Sequence, residues 1–135
     1  MLLLPVFADK IPDVWHQVKP LVEKALARTA GEQEPSDVLS RLLSKSYVLF
    51  AGIEGQDLSA ICIAEILYYP RKKICHVTLA ATKSGRDFED WEEHFKVIED
   101  FARAMGCVSV SAWVRKGFVK KLKWKHQYSI VTKDL

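Results

Sequence analysis

Glycine is scarce in this chain, six residues in 135, and none of the six falls into a GxxxxGK[ST] or GxGxxG arrangement. That excludes the two commonest nucleotide cradles, a P-loop and a dinucleotide fingerprint. Cysteine is equally sparse. Cys62, Cys75 and Cys107 occur with no CxxC spacing, in apolar and strand-like surroundings, so free buried thiols in a reducing compartment are expected rather than a disulfide or a metal centre. His16, His76, His94 and His126 are scattered without ligand spacing, and no metal is expected. Long apolar runs are missing too. The opening MLLLPV is too short for a signal-peptide core and has no basic flank, and no later run approaches a membrane span, so the expectation is a cytoplasmic protein with no membrane partner. The charge excess of one sign is small, +3 from 20 basic and 17 acidic residues, which argues against a nucleic-acid partner held by a general basic field.

What is present is the composition of a folded globular chain, 49% hydrophobic and 27% charged, long enough to bury a core in one domain spanning residues 1–135. Repeats, linkers and low-complexity segments are not found. The segment Leu2–Phe7 reads as a short strand, and Pro5 puts it at a sheet edge because proline cannot donate to a ladder. Helical spacing follows: Val14, Val18, Leu21, Val22, Ala25 and Leu26 form one apolar stripe. Pro20 interrupts the bonding of that helix but not its stripe, so a kinked helix or two abutting turns is expected there, with Gly31 as its stop. Pro35 suits the first turn of a second helix whose buried face is Val38, Leu39, Leu42 and Leu43.

From Tyr47 the texture changes to strands. YVLFAGI and LSAICIAEILYY are separated by Glu54-Gly55-Gln56-Asp57, which reads as a hairpin, and ICHVTLAAT supplies a third antiparallel member after residues 70–73. These runs are apolar on both faces, so helices should cover the sheet on each side. The clearest helix is DFEDWEEHFKVIEDFARAMG, with Phe88, Trp91, Phe95, Ile98, Ala102 and Met105 at steps of three and four and Gly106 as its C-terminal cap. Val108–Val114 reads as a strand that pairs in parallel after a crossover. GFVKKL can form a short helix and QYSIVT a last strand.

That order of elements resembles the GNAT (GCN5-related N-acetyltransferase) fold over nearly the whole chain, and in particular the compact proteins of that kind encoded by tailed bacteriophages. Its most recognisable part is VSVSAWV followed by RKGFVKKLKWKHQYSIVTKDL. The fold class expected is α/β (α+β): a single mixed, mostly antiparallel twisted sheet with helices on both faces, the GNAT-like acyl-CoA acyltransferase fold.

The resemblance implies acetyl-coenzyme A as cofactor, in a gap where the fourth and fifth strands splay apart, with its pyrophosphate at the loop opening the long helix. The matching residues are Ala80, Ala81, Thr82, Lys83, Ser84, Gly85 and Arg86. Unsatisfied N–H groups and the helix dipole favour an anion at such a loop. The sequence departs from the family pattern by having only Gly85 there. Asp87, Glu89, Asp90, Glu92 and Glu93 crowd the next turn, stabilising the helix by about 0.3–1 kcal/mol each while repelling a pyrophosphate; Lys83 and Arg86 offset part of that. Arg115 and Lys116 follow the fifth strand at the mouth of the gap, where cations meet an anionic ligand.

Transfer to an amine needs a base for the amine proton and a proton for the departing sulfur. Glu65 interrupts an apolar strand and is the first candidate base; the plainer reading is a carboxylate hydrogen-bonded at the sheet margin. His76 on the fourth strand is the second candidate, against a structural histidine. Tyr128 in the last strand stands in for the tyrosine acid of the family, because the preceding short helix offers only Phe118. The serines show no visible pairing with histidine. The implied function is acetyl transfer from acetyl-coenzyme A to an amine; the alternative is an inactive GNAT-fold phage component that binds a phage or host protein, including one associated with the virion. In the closing stretch Phe118, Leu122, Tyr128 and Ile130 are expected to be core residues, with the lysines on the solvated side.

Overall fold

The structure is a computed structural model and describes residues 1–84, 91–114 and 122–135, with 91 and 92 described by their backbone alone. Expectations that fall on Gly85, Arg86, Arg115, Lys116 and Phe118 lie outside the described residues.

Five strands form one sheet in the order β1 (Leu2–Val6), β2 (Val48–Glu54), β3 (Asp57–Tyr68), β4 (Lys73–Thr82) and β5 (Ser109–Ala112). The first four are antiparallel neighbours, and β5 joins β4 in parallel through helix α3 (Trp91–Ala104). As Pro5 implies, β1 is an edge strand. The β2–β3 hairpin closes with Glu54 opposite Asp57, so Gly55 and Gln56 make a two-residue turn. Gly55 takes φ 62, the positive value that a primed hairpin turn demands at its first central position.

Helix α1 (Ile11–Leu26) runs through Pro20 without a break. Pro20 is exposed, so the His16 carbonyl that loses its intrahelical donor faces water, which can satisfy it. The helix ends at Leu26, five residues before Gly31, whose φ of 85 marks a turn inside the connection rather than the cap of the helix. Helix α2 (Pro35–Leu43) begins with a reciprocal cap in which the Glu34 N–H donates to Asp37 Oδ2 at 2.8 Å. Leu43, expected on its buried face, is exposed.

The apolar residues sort into two layers. On one face of the sheet α1 and α2 pack Val18, Leu21, Val22, Val38 and Leu42 against Leu49, Ile61, Ile63 and Leu79. On the other, α3 packs Phe95, Ile98 and Ala102 against Phe50, Cys62, Cys75 and Val77, with Phe50 and Phe101 edge to face at 5.5 Å. Each fully buried side chain of this size stabilises the fold by about 1.5–3 kcal/mol. Gly106, at φ 79, ends α3: the Gly106 N–H donates to the Arg103 carbonyl and the Cys107 N–H to that of Ala102, the paired bonds of a Schellman cap. Met105, expected in the buried stripe, is exposed because the cap turns the chain before it reaches the sheet.

The end of the chain differs most from expectation. Leu122 and Trp124 do pack on the α3 layer, Trp124 lying 5.0 Å from Phe95. Beyond them no strand forms among the described residues. Tyr128 is 83% exposed, and Ile130 and Val131 also face solvent. The strand-like run QYSIVT has β-propensity, but propensity without a paired ladder and a buried face does not hold a strand in water.

Candidate functional site

β4 carries a bulge, and the bulge places the site. In the β3–β4 register Ala64 faces Val77 and Ile63 faces Leu79, so Thr78 is an extra residue without an opposite number. Alternation therefore reverses at that point. Val77 belongs to the α3 layer, whereas Leu79, two residues on, belongs to the layer under α1 and α2. The β4–β5 ladder stops at the same place: its last pair is Val77 with Ala112, while β4 continues to Thr82. From Thr78 onward the two strands part, and no described strand pairs with that side of β4. Strand backbone groups alternate in direction, so every second residue of the run 78–81 turns its N–H and C=O groups into the opening while the others bond to β3.

Glu65 and His76 are cross-strand partners, and His76 is in turn opposite Ser111 on β5. All three side chains therefore share the face that α2 covers. Glu65 is partly buried. Its Oε1 accepts a long hydrogen bond from Thr78 Oγ1 at 3.5 Å, and its Oε2 lies 3.9 Å from Arg41 Nη1. Arg41 comes from α2 and donates to Tyr47 Oη at 3.2 Å, and Tyr47 donates to Gln33 Oε1. A polar line thus runs from the α1–α2 connection to the first residue at which β4 and β5 separate. In sequence, Glu65 alone stood out.

His76 is only 3% exposed. Its Nδ1 lies 2.8 Å from Ser111 Oγ, its ring meets the edge of exposed Trp113 at 4.9 Å, and its Nε2 is buried with no partner among the described residues. Burial pushes its pKa below the ordinary histidine value, so the ring is neutral near pH 7. Ser111 is thus a serine paired with histidine, which the expected lack of such a pair missed. The signal available was the alternation in VSVSAWV, which places Ser109 and Ser111 on the polar side of the strand.

The expected cofactor loop is brought to the opening in part. Ala80, Ala81 and Thr82 lie on the free run of β4, and Lys83 and Ser84 follow it. Lys83 N–H donates to the Ser59 carbonyl at 2.7 Å. Lys24, on α1, reaches 58 residues along the chain to donate its Nζ to the Thr82 carbonyl at 2.7 Å. Sequence spacing gives no hint of that contact. Tyr128 is not brought in: it sits on the exposed tail, because the strand that was to carry it does not form.

The cysteines are free. Burial, more than the neighbouring thiols, raises the pKa of Cys62 and pushes that of Cys75 up to about 12. Cys75 belongs to the α3 layer, opposite the face of His76, as alternation requires. Among the described residues no three His, Cys, Asp or Glu side chains come close enough to hold a metal ion, and no helix is long and apolar enough to cross a membrane.

No family profile and no curated protein matches the chain. Solved structures do. A ribosomal-protein-alanine N-acetyltransferase from Brucella melitensis superposes with a TM-score of 0.73 at 10% identity, all of both chains being covered. A GNAT family acetyltransferase from Staphylococcus aureus gives 0.69 at 12%, again over both whole chains. An aminoglycoside N-acetyltransferase in complex with CoA gives 0.72 at 8%, covering 98% of this chain and 93% of the other. At such identities the likeness is one of fold, and with a mixed sheet, a bulged β4 and a parting of β4 from β5, the fold of this chain is that of the GNAT acetyltransferases.

Proposed function

We propose that this chain is an N-acetyltransferase that transfers an acetyl group from acetyl-coenzyme A to an amine. The observation that carries the reading is the coincidence at Thr78: the strands part there, and the Glu65 carboxylate reaches the same residue. A structural neighbour holds CoA, and the residues present suit that group. The outward backbone of Thr78–Ala81 offers donors, Lys83 and Lys24 put cations beside the far end of the opening, and Arg86, Arg115 and Lys116 are proposed as further anion ligands, with Ser84 and Gly85 completing the loop.

Bound acetyl-coenzyme A supplies a thioester: the C–N bond to the amine forms, the C–S bond breaks, the amine proton leaves to a base and the sulfur takes a proton from solvent. Glu65 is the proposed base, accepting that proton directly or through one water. His76, its cross-strand neighbour, is the second candidate base; the same burial that lowers its pKa weakens it as a proton acceptor. Alkyl thiols are only about one or two pKa units less acidic than the cysteine thiol, whose pKa is about 8.5, so a thiolate is a tolerable leaving group in water. Turnover then needs no tyrosine acid, and Tyr128 on the tail is dispensable.

Titration calorimetry with coenzyme A tests the reading: saturable heat is expected, together with thiol release when an acceptor amine is added. No heat and no thermal shift at millimolar ligand overturns it. A second reading has one observation behind it. The exposed Tyr128, Ile130 and Val131 are surface that a protein partner would cover, as in an inactive phage-encoded component associated with a phage or host protein. A stable pull-down partner combined with absent turnover would select it.

A further inference from the structure

The charges around Glu65 are few and opposite. On this sheet face α2 contributes Arg41, β3 contributes Glu65, β4 contributes a neutral His76, and β5 contributes the uncharged Ser111. Lys24 of α1 is engaged by the Thr82 carbonyl. Among the described residues of this face, an acceptor reaching Thr78 therefore meets one cation, Arg41, and one anion, Glu65, side by side. A polycationic amine would be repelled by Arg41 as much as it is drawn by Glu65.

Arg41 is also built to hold an anion rather than to lock Glu65. Its contact with Glu65 is 3.9 Å, against about 2.7–2.9 Å for a charge-assisted hydrogen bond. Its guanidinium is instead oriented by Tyr47, which accepts one N–H at 3.2 Å and lies under the cation at 5.0 Å. Tyr47 is buried and fixed in turn by Gln33. Nη1 is the atom that meets both Tyr47 and Glu65, and the side chain of Arg41 remains 52% exposed, so solvent reaches a planar donor fork of the shape that matches a carboxylate. Beside the fork is Glu65, 24% exposed, with its other oxygen turned to Thr78 at the strand opening.

Resting on the acetyltransferase reading, we propose that the acceptor is a zwitterionic amine of amino-acid type, its carboxylate held by Arg41 while its amine faces Glu65 at Thr78. The nearness of cation and anion suits an amine and a carboxylate separated by one or two carbons.

Thiol release from acetyl-coenzyme A is measured with the full chain against the free amino acids, their carboxamides and spermidine. At least one amino acid is expected to exceed its own amide in kcat/KM by about tenfold or more, the effect of one charge-assisted contact. Arg41→Gln should raise the KM of that amino acid by about tenfold with kcat little changed and erase the preference over the amide; Arg41→Lys should recover part of it. Amides or spermidine used as well as the amino acids, or an Arg41→Gln variant that keeps the preference, overturns the proposal. A second arm does not depend on turnover: N-acetylated amino acids, the products, should bind the wild-type chain in calorimetry and not Arg41→Gln, with melting curves showing both folded. If coenzyme A does not bind and no amine is turned over, the acetyltransferase reading falls, and the product-binding arm decides the Arg41 site by itself.

Discussion

His76 Nδ1 lies 2.8 Å from Ser111 Oγ across the β4–β5 pair, one residue before the last position at which the two strands are joined. The bond links the strands next to the opening, and it is the one hydrogen bond of a ring whose other nitrogen is buried without a partner among the described residues. Ser111→Ala would leave neither nitrogen with a partner among the described residues. A loss of about 1–3 kcal/mol is expected, read from the urea midpoint; an unchanged midpoint would show that the bond is not formed in solution.

His76 should also make stability depend on pH. Burial lowers its pKa in the folded chain, while in the unfolded chain it protonates near pH 6.5, the ordinary histidine value. Below about pH 6.5 the unfolded state binds a proton that the folded state refuses, so stability falls as the pH drops through that point and is insensitive to this group above it. Melting temperatures between pH 7.5 and 5 should decline, and a His76→Gln variant should lose part of that decline.

Glu65→Gln keeps the shape and removes the base. Under the proposed function kcat should fall by about 10²–10⁴-fold, while stability changes by no more than about 1 kcal/mol, because the contact with Arg41 is loose and partly exposed. A variant that retains full turnover would reassign the base, with His76→Gln as the next test.

The thiols should react in a fixed order. Cys62 and Cys75 are buried with raised pKa values, Cys75 to about 12. Cys107 is only partly buried, and its pKa is raised by burial against the opposing pull of nearby Lys73. Ellman's reagent on the native chain should label Cys107 first and the other two only after denaturation.

Lys45 sits at φ 69, just after α2, where a side chain is strained. Lys45→Gly should stabilise the chain by about 1 kcal/mol, and Lys45→Ala should not; calorimetry of the pair separates backbone strain from lost charge.

Much of this molecule could be read from its residues because the relevant signals are local. Val18, Leu21, Val22 and Ala25 repeat at helical spacing and are buried where that spacing puts them. Pro5 marks an edge strand, Gly55 lies in a hairpin connection and Gly106 is a helix cap, since each of these signals acts within a few residues. Glu65 was legible as a candidate because a charge in an apolar strand has to find a partner.

Three things were decided only in three dimensions. The extra residue Thr78 leaves no mark in ICHVTLAAT, yet it reverses the faces of β4 and ends the ladder to β5, because a bulge exists only relative to a partner strand. Arg41, Ser111 and Lys24 join the site from three other elements, at separations of up to 58 residues. The tail shows the converse. QYSIVT has the composition of a strand, but a strand needs a neighbour's backbone and a face to bury, and the fold supplies neither to residues 127–132. Local chemistry chose the elements of this protein; the pairing of distant backbones chose where two of them part, and with that the place of its candidate site.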